Sequence, residues 1–261
     1  MKRIGLALLT LAVLTFPASA EQWSKTYTIS NSPDLRVDTT DANIRVDTWE
    51  QKTIQATITS THYKFGHGGL TVEEHQTGDT VEINLRFPHE FHMDGFTSRV
   101  DIEIHMPRKG RVNLHTGDGN IELADFSGQI DLSSGDGSEE IHGVEGSLHA
   151  NTGDGHINAD GRFDTLNLKT GDGRLDIRAA AGSKVAEEWT LHTGDGSVSL
   201  ELPQDLAADV NLHTGDGHID VDLPIATEGR ISGNDVRGKL NGGGNMISVQ
   251  TGDGSINLHK G

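Results

Sequence analysis

The amino-acid sequence predicts an all-β protein, a single-stranded β-solenoid (β-helix) of about 18-residue coils with an N-terminal strand cap. Two observations predict this fold. The tetrapeptide Thr-Gly-Asp-Gly recurs at nearly regular intervals, and apolar residues alternate with polar ones on both sides of each copy. Alternation with a period of two indicates half-buried strands, and a turn that recurs at a fixed interval indicates stacked coils.

The repeated turn carries an aspartate in each of its seven copies, one of which has Ser in place of Thr. These residues are Asp118, Asp136, Asp154, Asp172, Asp195, Asp216 and Asp253. The first three intervals are 18 residues, and the later ones are 23, 21 and 37. Because the last interval is about twice the period, we expect a degenerate coil near Asp235, within residues 231–240. Another degenerate copy, around Asp41, occupies residues 35–46.

The residues that flank each turn follow one pattern. Counted from the aspartate, positions −6, −4, +3 and +5 are apolar in all seven copies, except for Glu139, whose burial without a partner would be costly. An antiparallel meander would also alternate, but it needs no turn that recurs at the full period. One fixed and one variable turn per coil therefore favour the solenoid, with the extra residues 178–188 in a variable turn.

The chemistry of the repeated turn explains its composition. We expect the glycines to adopt positive φ, the aspartate to accept hydrogen bonds from backbone amides, and the inward-facing threonine hydroxyl to satisfy another group of the turn. Stacking places successive carboxylates about 4.8 Å apart, where two like charges in water repel by about 1 kcal/mol.

A calcium ion would relieve this repulsion, since calcium prefers oxygen ligands. The seven turn aspartates are therefore candidate calcium ligands, and no other cofactor is expected. The nine-residue repeat of calcium-binding β-rolls and the EF-hand loop are both absent from the sequence. Aspartate as a purely structural turn residue is the competing interpretation.

The chain divides into three parts. Residues 1–20 have the features of a cleaved signal peptide: Lys2 and Arg3, an apolar run over 5–16, and the small residues Ala-Ser-Ala at 18–20. Residues 21–110 form a strand block that caps the solenoid of residues 111–261, and the two make one continuous domain. No other segment could span a bilayer, and without cysteine the protein cannot be a lipoprotein, so we expect it to be periplasmic or secreted.

The net charge limits the classes of partner that the protein can bind. A formal net charge of −18 argues against nucleic acid, because phosphate binding requires basic patches. The expected partner is an envelope component, either polysaccharide or protein, of unknown identity. The coil at residues 256–258, last in the chain, indicates end-to-end self-association if it is exposed at the end of the stack.

Histidines occupy outward positions of the repeat. His115, His192 and His213 lie at position −3, and His156 and His218 at +2, with His192 and His213 expected on adjacent coils. His89 and His92, in a loop of the strand block, are weak candidates for a transition-metal site. Their spacing matches no closed metal site, and solvated polar faces remain the simpler interpretation.

Acidic residues occupy position +4 of several coils. They are Glu122, Glu140, Asp176 and Asp220. Paired acids on the outside of a β-helix could cleave polysaccharides. However, no cluster of arginine or lysine is evident beside them for an anionic sugar, and the sequence has no nucleophile triad or phosphate loop. We therefore expect no catalytic residues.

The order of these features is similar to a known family. A signal-like segment precedes a strand block, the segment Val-Asp-Ile-Glu-Ile-His-Met-Pro at residues 100–107, and then repeats of Thr-Gly-Asp-Gly-x-Ile-x-Leu. Over most of residues 27–261 the chain resembles the bacterial "putative adhesin" family of uncharacterised envelope proteins. The resemblance implies a non-catalytic, adhesin-like structural or binding module, and it brings no catalytic residues. The alternatives are a calcium-stabilised surface protein and a polysaccharide-acting enzyme on a β-helix.

Overall fold

The structure, a computed structural model, describes residues 20–88, 99–227 and 233–261, and in these ranges every regular element is a β-strand. The strands are β1 (Glu21–Thr28), β2 (Asp34–Asp38), β3 (Asn43–Trp49), β4 (Thr53–Ser60), β5 (Thr71–Thr77), β6 (Thr80–Arg86), β7 (Val100–Pro107), β8 (Lys109–Thr116), β9 (Ile121–Ala124), β10 (Ser127–Ser134), β11 (Glu139–Thr152), β12 (Ile157–Thr170), β13 (Leu175–Ala179), β14 (Trp189–Thr193), β15 (Val198–Leu202), β16 (Ala208–Thr214), β17 (Ile219–Val221), β18 (Ala226–Thr227), β19 (Asp235–Leu240), β20 (Met246–Thr251) and β21 (Ile256–Lys260).

The alternation in the sequence becomes an inner and an outer face. In β12, for example, Leu166 and Leu168 are fully buried, whereas Asn167 and Lys169, which alternate with them, are exposed. Successive side chains of a strand point to opposite faces, so each coil contributes its apolar set to one continuous core. The largest side chains in this core are aromatic, and Phe163 and Trp189 meet edge to face with their ring centroids 6.3 Å apart.

The strands form two faces, which we name by their position relative to the repeated turn. Sheet A contains the strands that precede the turn, in the order β5, β6, β2, β8, β10, the second half of β11, the second half of β12, β14, β20, β16, β19 and β18. Sheet B contains the strands that follow it, in the order β1, β4, β7, β3, β9, the first half of β11, the first half of β12, β13, β15, β21 and β17. Inner neighbours are parallel, and antiparallel pairs occur towards the ends of the stack.

The prediction of an all-β, solenoid-like fold is confirmed, but the coils do not follow one another strictly along the chain. From β8 to β15 each coil stacks on the preceding one. At the N-terminal side, β2 and β3 stack directly on β8 and β9, and the intervening strands pair further out. At the other side, β20 and β21 lie between the coil of β14 and β15 and the coil of β16 and β17.

Two expectations about the C-terminal region are therefore wrong. The segment near Asp235 is not a degenerate coil that stacks like the others, since β19 runs antiparallel to β16. The coil at residues 256–258 is not exposed at the end of the stack, since β21 pairs with β15 on one side and β17 on the other. The basis for end-to-end self-association through this coil is thereby removed.

Candidate functional site

The repeated turns form a spine of hydrogen bonds along one edge of the stack. In six of the seven turns, the amide of the first glycine donates to the carbonyl of its counterpart in the adjacent layer, as from Gly153 to Gly135 and from Gly171 to Gly153, both at 2.5 Å. The spine follows the spatial order of the layers, so Gly252 donates to Gly194, and Gly215 donates to Gly252. These bonds extend the pairing of the strands through the turns.

Close packing, not positive φ, accounts for the turn glycines. None of them has a positive φ, so the conformational reason expected from the sequence is wrong. A methyl group in place of the hydrogen of Gly173 would collide with the carbonyl oxygen of Gly155 in the layer below, and the second glycine of each other turn meets the same obstacle. Glycine is needed because two backbones approach each other here without space for a side chain.

The threonine of each turn completes the spine, as expected. Thr170 is buried, its hydroxyl donates to the carbonyl of Gly155 at 2.9 Å, and it accepts from the amide of Gly173 at 3.1 Å. Ser134 makes the equivalent bonds in its own turn, at 2.8 and 3.0 Å. Each hydroxyl thus joins two layers and satisfies two buried backbone groups.

The turn aspartates form an exposed ladder on the outside of this spine. In spatial order its members are Asp41, Asp118, Asp136, Asp154, Asp172, Asp195, Asp253 and Asp216. Within the described residues no backbone amide donates to any of the seven repeat carboxylates, so the expected bonds are not found. At one end of the ladder, partial burial and the adjacent Asp118 raise the pKa of Asp41.

Calcium binding by the ladder stays a prediction. The described ranges contain no group of three or more His, Asp or Glu side chains placed to hold a metal ion. The ladder instead offers one carboxylate per layer, so an ion there would have to bridge successive layers.

The outer face of sheet B carries three rows of polar side chains, at positions +2, +4 and +6 of the coils. The row at +2 stabilises the stack. The side chain of Asn120 accepts from the amide of Ser138 at 2.8 Å, and Nδ1 of His156 accepts from the amide of Arg174 at 2.9 Å. His156 therefore acts as a hydrogen-bond acceptor in this arrangement, which requires an unprotonated Nδ1.

The row at +4 contains the predicted acids, but they do not form one continuous set. Glu122 and Glu140 are register neighbours, and Glu122 pairs with Arg45 at 3.0 Å. Asn158 separates Glu140 from Asp176 and donates to Glu140 at 2.8 Å. Asp220 lies further along the stack, opposite Asn257.

The row at +6 alternates in charge type. Its members along the stack are His142, Asp160, Arg178, Glu201 and His259. Asp160 accepts from the amide of Gly143 at 3.0 Å and lies 2.7 Å from Nδ1 of His142. Burial by itself would raise the pKa of Asp160, but these hydrogen bonds and the nearby charge of Arg178 outweigh it and lower the pKa.

A groove of about 630 Å³ runs over these rows, and its lining includes Asn158, Asp176, Arg178, Ser199 and Glu201. A second hollow of about 700 Å³ adjoins it at the variable turns, and the two share Arg178 and Glu201. Arg174 and Arg178 flank Asp176 in the sequence, and both are exposed on the same face. The expectation that no arginine cluster accompanies the acids is therefore wrong. Arg174, Asp176 and Arg178 follow one another at intervals of two residues, so the sequence could have indicated that they share a face.

Comparison with known proteins identifies the family. Residues 97–259, more than half of the chain, match the family model of Toastrack DUF4097. The chain belongs to the Toastrack family. Among curated proteins, no sequence matches this Toastrack chain.

Several solved structures resemble the Toastrack chain at low sequence identity. The "putative cell adhesion protein" of Clostridium sporogenes is 13% identical, with a TM-score of 0.46 over 93% of this chain and 100% of that one. The "putative adhesin" of Parabacteroides merdae is 14% identical, with a TM-score of 0.43 over 91% and 96%. The "putative lipid binding protein" of Parabacteroides distasonis is 13% identical, also with a TM-score of 0.43 over 91% and 96%.

The histidines predicted from the Toastrack sequence are dispersed. The expectation that His192 and His213 lie on adjacent coils is wrong, because Gln250 of the inserted coil lies between them. His213 instead lies 2.8 Å from Asp235 of β19. His89 and His92, the candidate transition-metal ligands, lie outside the described residues.

Glu139 is the single polar residue at positions −6, −4, +3 and +5 of the seven Toastrack repeats. It is fully buried, and neither of its carboxylate oxygens has a hydrogen-bond partner in the described part of the chain. Burial raises the pKa of Glu139 to about 8, and the nearby amides of Ser134 and Asn151 offset this only in part. The irregularity expected from the sequence is thus a buried carboxyl group in the core of the stack.

The described Toastrack residues contain no helix with the length and apolar character that a membrane span requires.

Proposed function

We propose that this protein is an exported, non-catalytic binding module of the cell envelope, which holds an extended polysaccharide in the groove of sheet B. The observation that carries the proposal is the continuity of the groove, whose lining side chains come from successive coils: Glu140, Asn158, Asp176, Ser199 and His259. A surface that repeats its polar side chains about every 4.8 Å suits a ligand that is itself a repeating polymer.

The chemistry of the face supports recognition through side chains. The backbone groups of the strands under the groove are already paired within sheet B, so they offer no edge to which a peptide strand could add. Each contact with a hydroxyl or a charged group of a sugar would be weak, because water competes for it. Many such contacts along one polymer add up, and this is the mechanism that we propose for adhesion.

The state of the acids supports a non-catalytic role. Glu122 is paired with Arg45, and Glu140 accepts from Asn158, so both carboxylates make contacts that orient them within the stack. Glu139, whose raised pKa would suit a general acid, lies inside the core, where a substrate cannot reach it.

The N-terminal sequence supports export. Lys2 and Arg3, the apolar run at 5–16 and the small residues at 18–20 form a cleavable secretion signal. Expression of the whole chain, cell fractionation and sequencing of the new N-terminus test this part. A periplasmic or secreted product that starts at Glu21 supports export, and an uncleaved cytoplasmic product contradicts it.

Binding to a panel of purified envelope polysaccharides tests the groove. The variant Asn158→Ala with Ser199→Ala removes two groove side chains, and Asn167→Ala with Thr190→Ala is its matched control on the outer face of sheet A. We expect at least one polymer to bind, the groove variant to weaken binding several-fold, and the control to leave it unchanged. New reducing ends or unsaturated products in the same mixtures would overturn the non-catalytic role, and loss of binding in the control alone would overturn the location.

A calcium-stabilised surface protein is the second candidate. The eight carboxylates of the aspartate ladder, including Asp41, support it, because all eight are exposed and a bridging cation would relieve their mutual repulsion. Polysaccharide binding and calcium binding would use different faces of the molecule and are tested independently.

A further inference from the structure

Two arginines in the groove lack the close partners that other arginines of this face have. The nearest acidic oxygen to Arg174 is that of Asp176 at 3.9 Å, and the nearest to Arg178 is that of Asp160 at 3.7 Å. Both distances exceed hydrogen-bond length, and the two side chains are 62% and 60% exposed. Among the described residues, neither guanidinium donates a hydrogen bond to the protein.

Other arginines on the same side of the molecule are engaged. Arg45 contacts Asp47 at 2.9 Å and Glu122 at 3.0 Å. Arg162, in the adjoining hollow, contacts Asp164 at 2.7 Å. Arg45 and Arg162 therefore use some of their donors within the protein, whereas all the side-chain donors of Arg174 and Arg178 are available to a ligand.

The groove also holds carboxylates that the protein leaves without a close cation. Glu201 is the register neighbour of Arg178 in β15, yet it makes no ion pair or hydrogen bond with the described residues. Asp176 lies between the two arginines and has only the distant contact with Arg174. Cationic and anionic groups therefore alternate along the strand and across it.

This arrangement limits the class of ligand. No Trp, Tyr or Phe is among the described residues that line either hollow, so stacking on the faces of neutral sugars is not available. A purely anionic polymer would meet the carboxylates of Asp176 and Glu201 and a chain of net charge −18. A ligand that carries both charges would satisfy both sets of groups.

We propose that the groove binds a mixed-charge polysaccharide, with carboxylate or phosphate groups on Arg174 and Arg178 and amino groups on Glu201 and Asp176. This inference rests on the proposed function and names its ligand class. The two arginines are four residues apart on an extended chain, so their attachment points are about 13 Å apart, a distance that favours a polymer over a small zwitterion. Bidentate bonds from a guanidinium to carboxylate or phosphate give specificity as well as strength.

Partly de-N-acetylated hyaluronan, which carries carboxylate and amino groups, is the probe, and fully acetylated hyaluronan and dextran provide anionic and neutral comparisons. We expect the mixed-charge polymer to bind the intact chain more tightly than either comparison, with an affinity that falls as salt is added. Arg174→Gln and Arg178→Gln should each weaken it about tenfold. Arg111→Gln, an arginine of sheet A without an ion pair in the described structure, is the matched control and should have no effect.

Glu201→Gln separates the two charge roles. It should weaken binding of the mixed-charge polymer, because the amino group of that polymer loses its partner. It should strengthen binding of acetylated hyaluronan, because the groove loses a carboxylate that repels this anionic polymer. Equal effects on both polymers, or full affinity in Arg174→Gln and Arg178→Gln, would overturn the inference. If the probe fails to bind while another polymer binds and depends on Asn158 and Ser199, this inference is wrong and the proposed function stands.

Discussion

The hydroxyl of Thr170 donates a hydrogen bond to the carbonyl oxygen of Gly155 in the preceding coil, at 2.9 Å. The same hydroxyl accepts from the amide of Gly173 in its own turn. One buried side chain therefore ties two coils together, and the relationship recurs in every layer of the repeat. The stability of the stack should depend on this bond and on the glycines beside it.

Replacement of Thr170 by Val should destabilise the protein by about 1–3 kcal/mol, since it leaves a buried amide and a buried carbonyl without a partner. Thr170→Ser is the control, because Ser134 already makes the same bonds in its own turn. Urea unfolding of the two variants measures the difference. Equal stability of the Val and Ser variants would show that the hydroxyl contributes little.

Replacement of Gly173 by Ala should be more damaging, because the added methyl group collides with the backbone of the layer below. We expect a loss of at least about 3 kcal/mol or failure to fold, since neither backbone can move without breaking the spine. Gly233→Ala is the control, for nothing lies within 4 Å of its added carbon, and it should change stability by less than about 0.5 kcal/mol. Circular dichroism with urea unfolding compares them, and a Gly173→Ala variant of normal stability would contradict the close-packing explanation.

Replacement of Glu139 by Gln should stabilise the protein, and the gain should grow with pH. The folded-state pKa of about 8 lies above the ordinary value of 4.5, so folding favours the protonated carboxyl. Stability is therefore complete below about pH 4.5, declines as the pH rises towards 8, and stays low above it. At 1.36 kcal/mol per pH unit, the gain in Glu139→Gln has an upper limit of about 5 kcal/mol in alkaline buffer.

Urea unfolding across this pH range, with Glu140→Gln on the outer face as control, tests the Glu139 prediction. The two Gln variants should be similar in acid and diverge as the pH rises. A pH-independent difference between Glu139→Gln and the unaltered chain would show that Glu139 does not titrate in this range.

Millimolar calcium should leave the melting temperature unchanged if the aspartates of the ladder are only structural turn residues and bind no ion. Asp154→Asn with Asp172→Asn should then stabilise the protein slightly, because it removes repulsion of about 1 kcal/mol between neighbouring carboxylates. Thermal unfolding with calcium and with EDTA measures both effects. A large rise in melting temperature with calcium that disappears in the double variant would establish the calcium-stabilised alternative instead.

Much of the candidate site could be predicted from the local pattern. The position of Thr170 in the inward–outward alternation of its strand predicts a buried hydroxyl. The position of Asp176 in the same alternation predicts an outward-facing carboxylate. Arg174 and Arg178 have the same position in the alternation as Asp176, so the sequence also predicts that the three side chains share a face. The sequence could not show that these two arginines lack close partners, because this depends on which side chains the adjacent coils present.

The sequence by itself determined the strands, the inward and outward faces and the position of each turn, because these follow from the spacing of residues within one coil. The order of the coils was decided only in the tertiary structure, where the last coil lies between two earlier ones. All coils have the same glycine spine and apolar interior, so any coil is complementary to any other. The long connections and the antiparallel pairing of β19 with β16 then decide which coils meet, and neither leaves a local signature in the sequence.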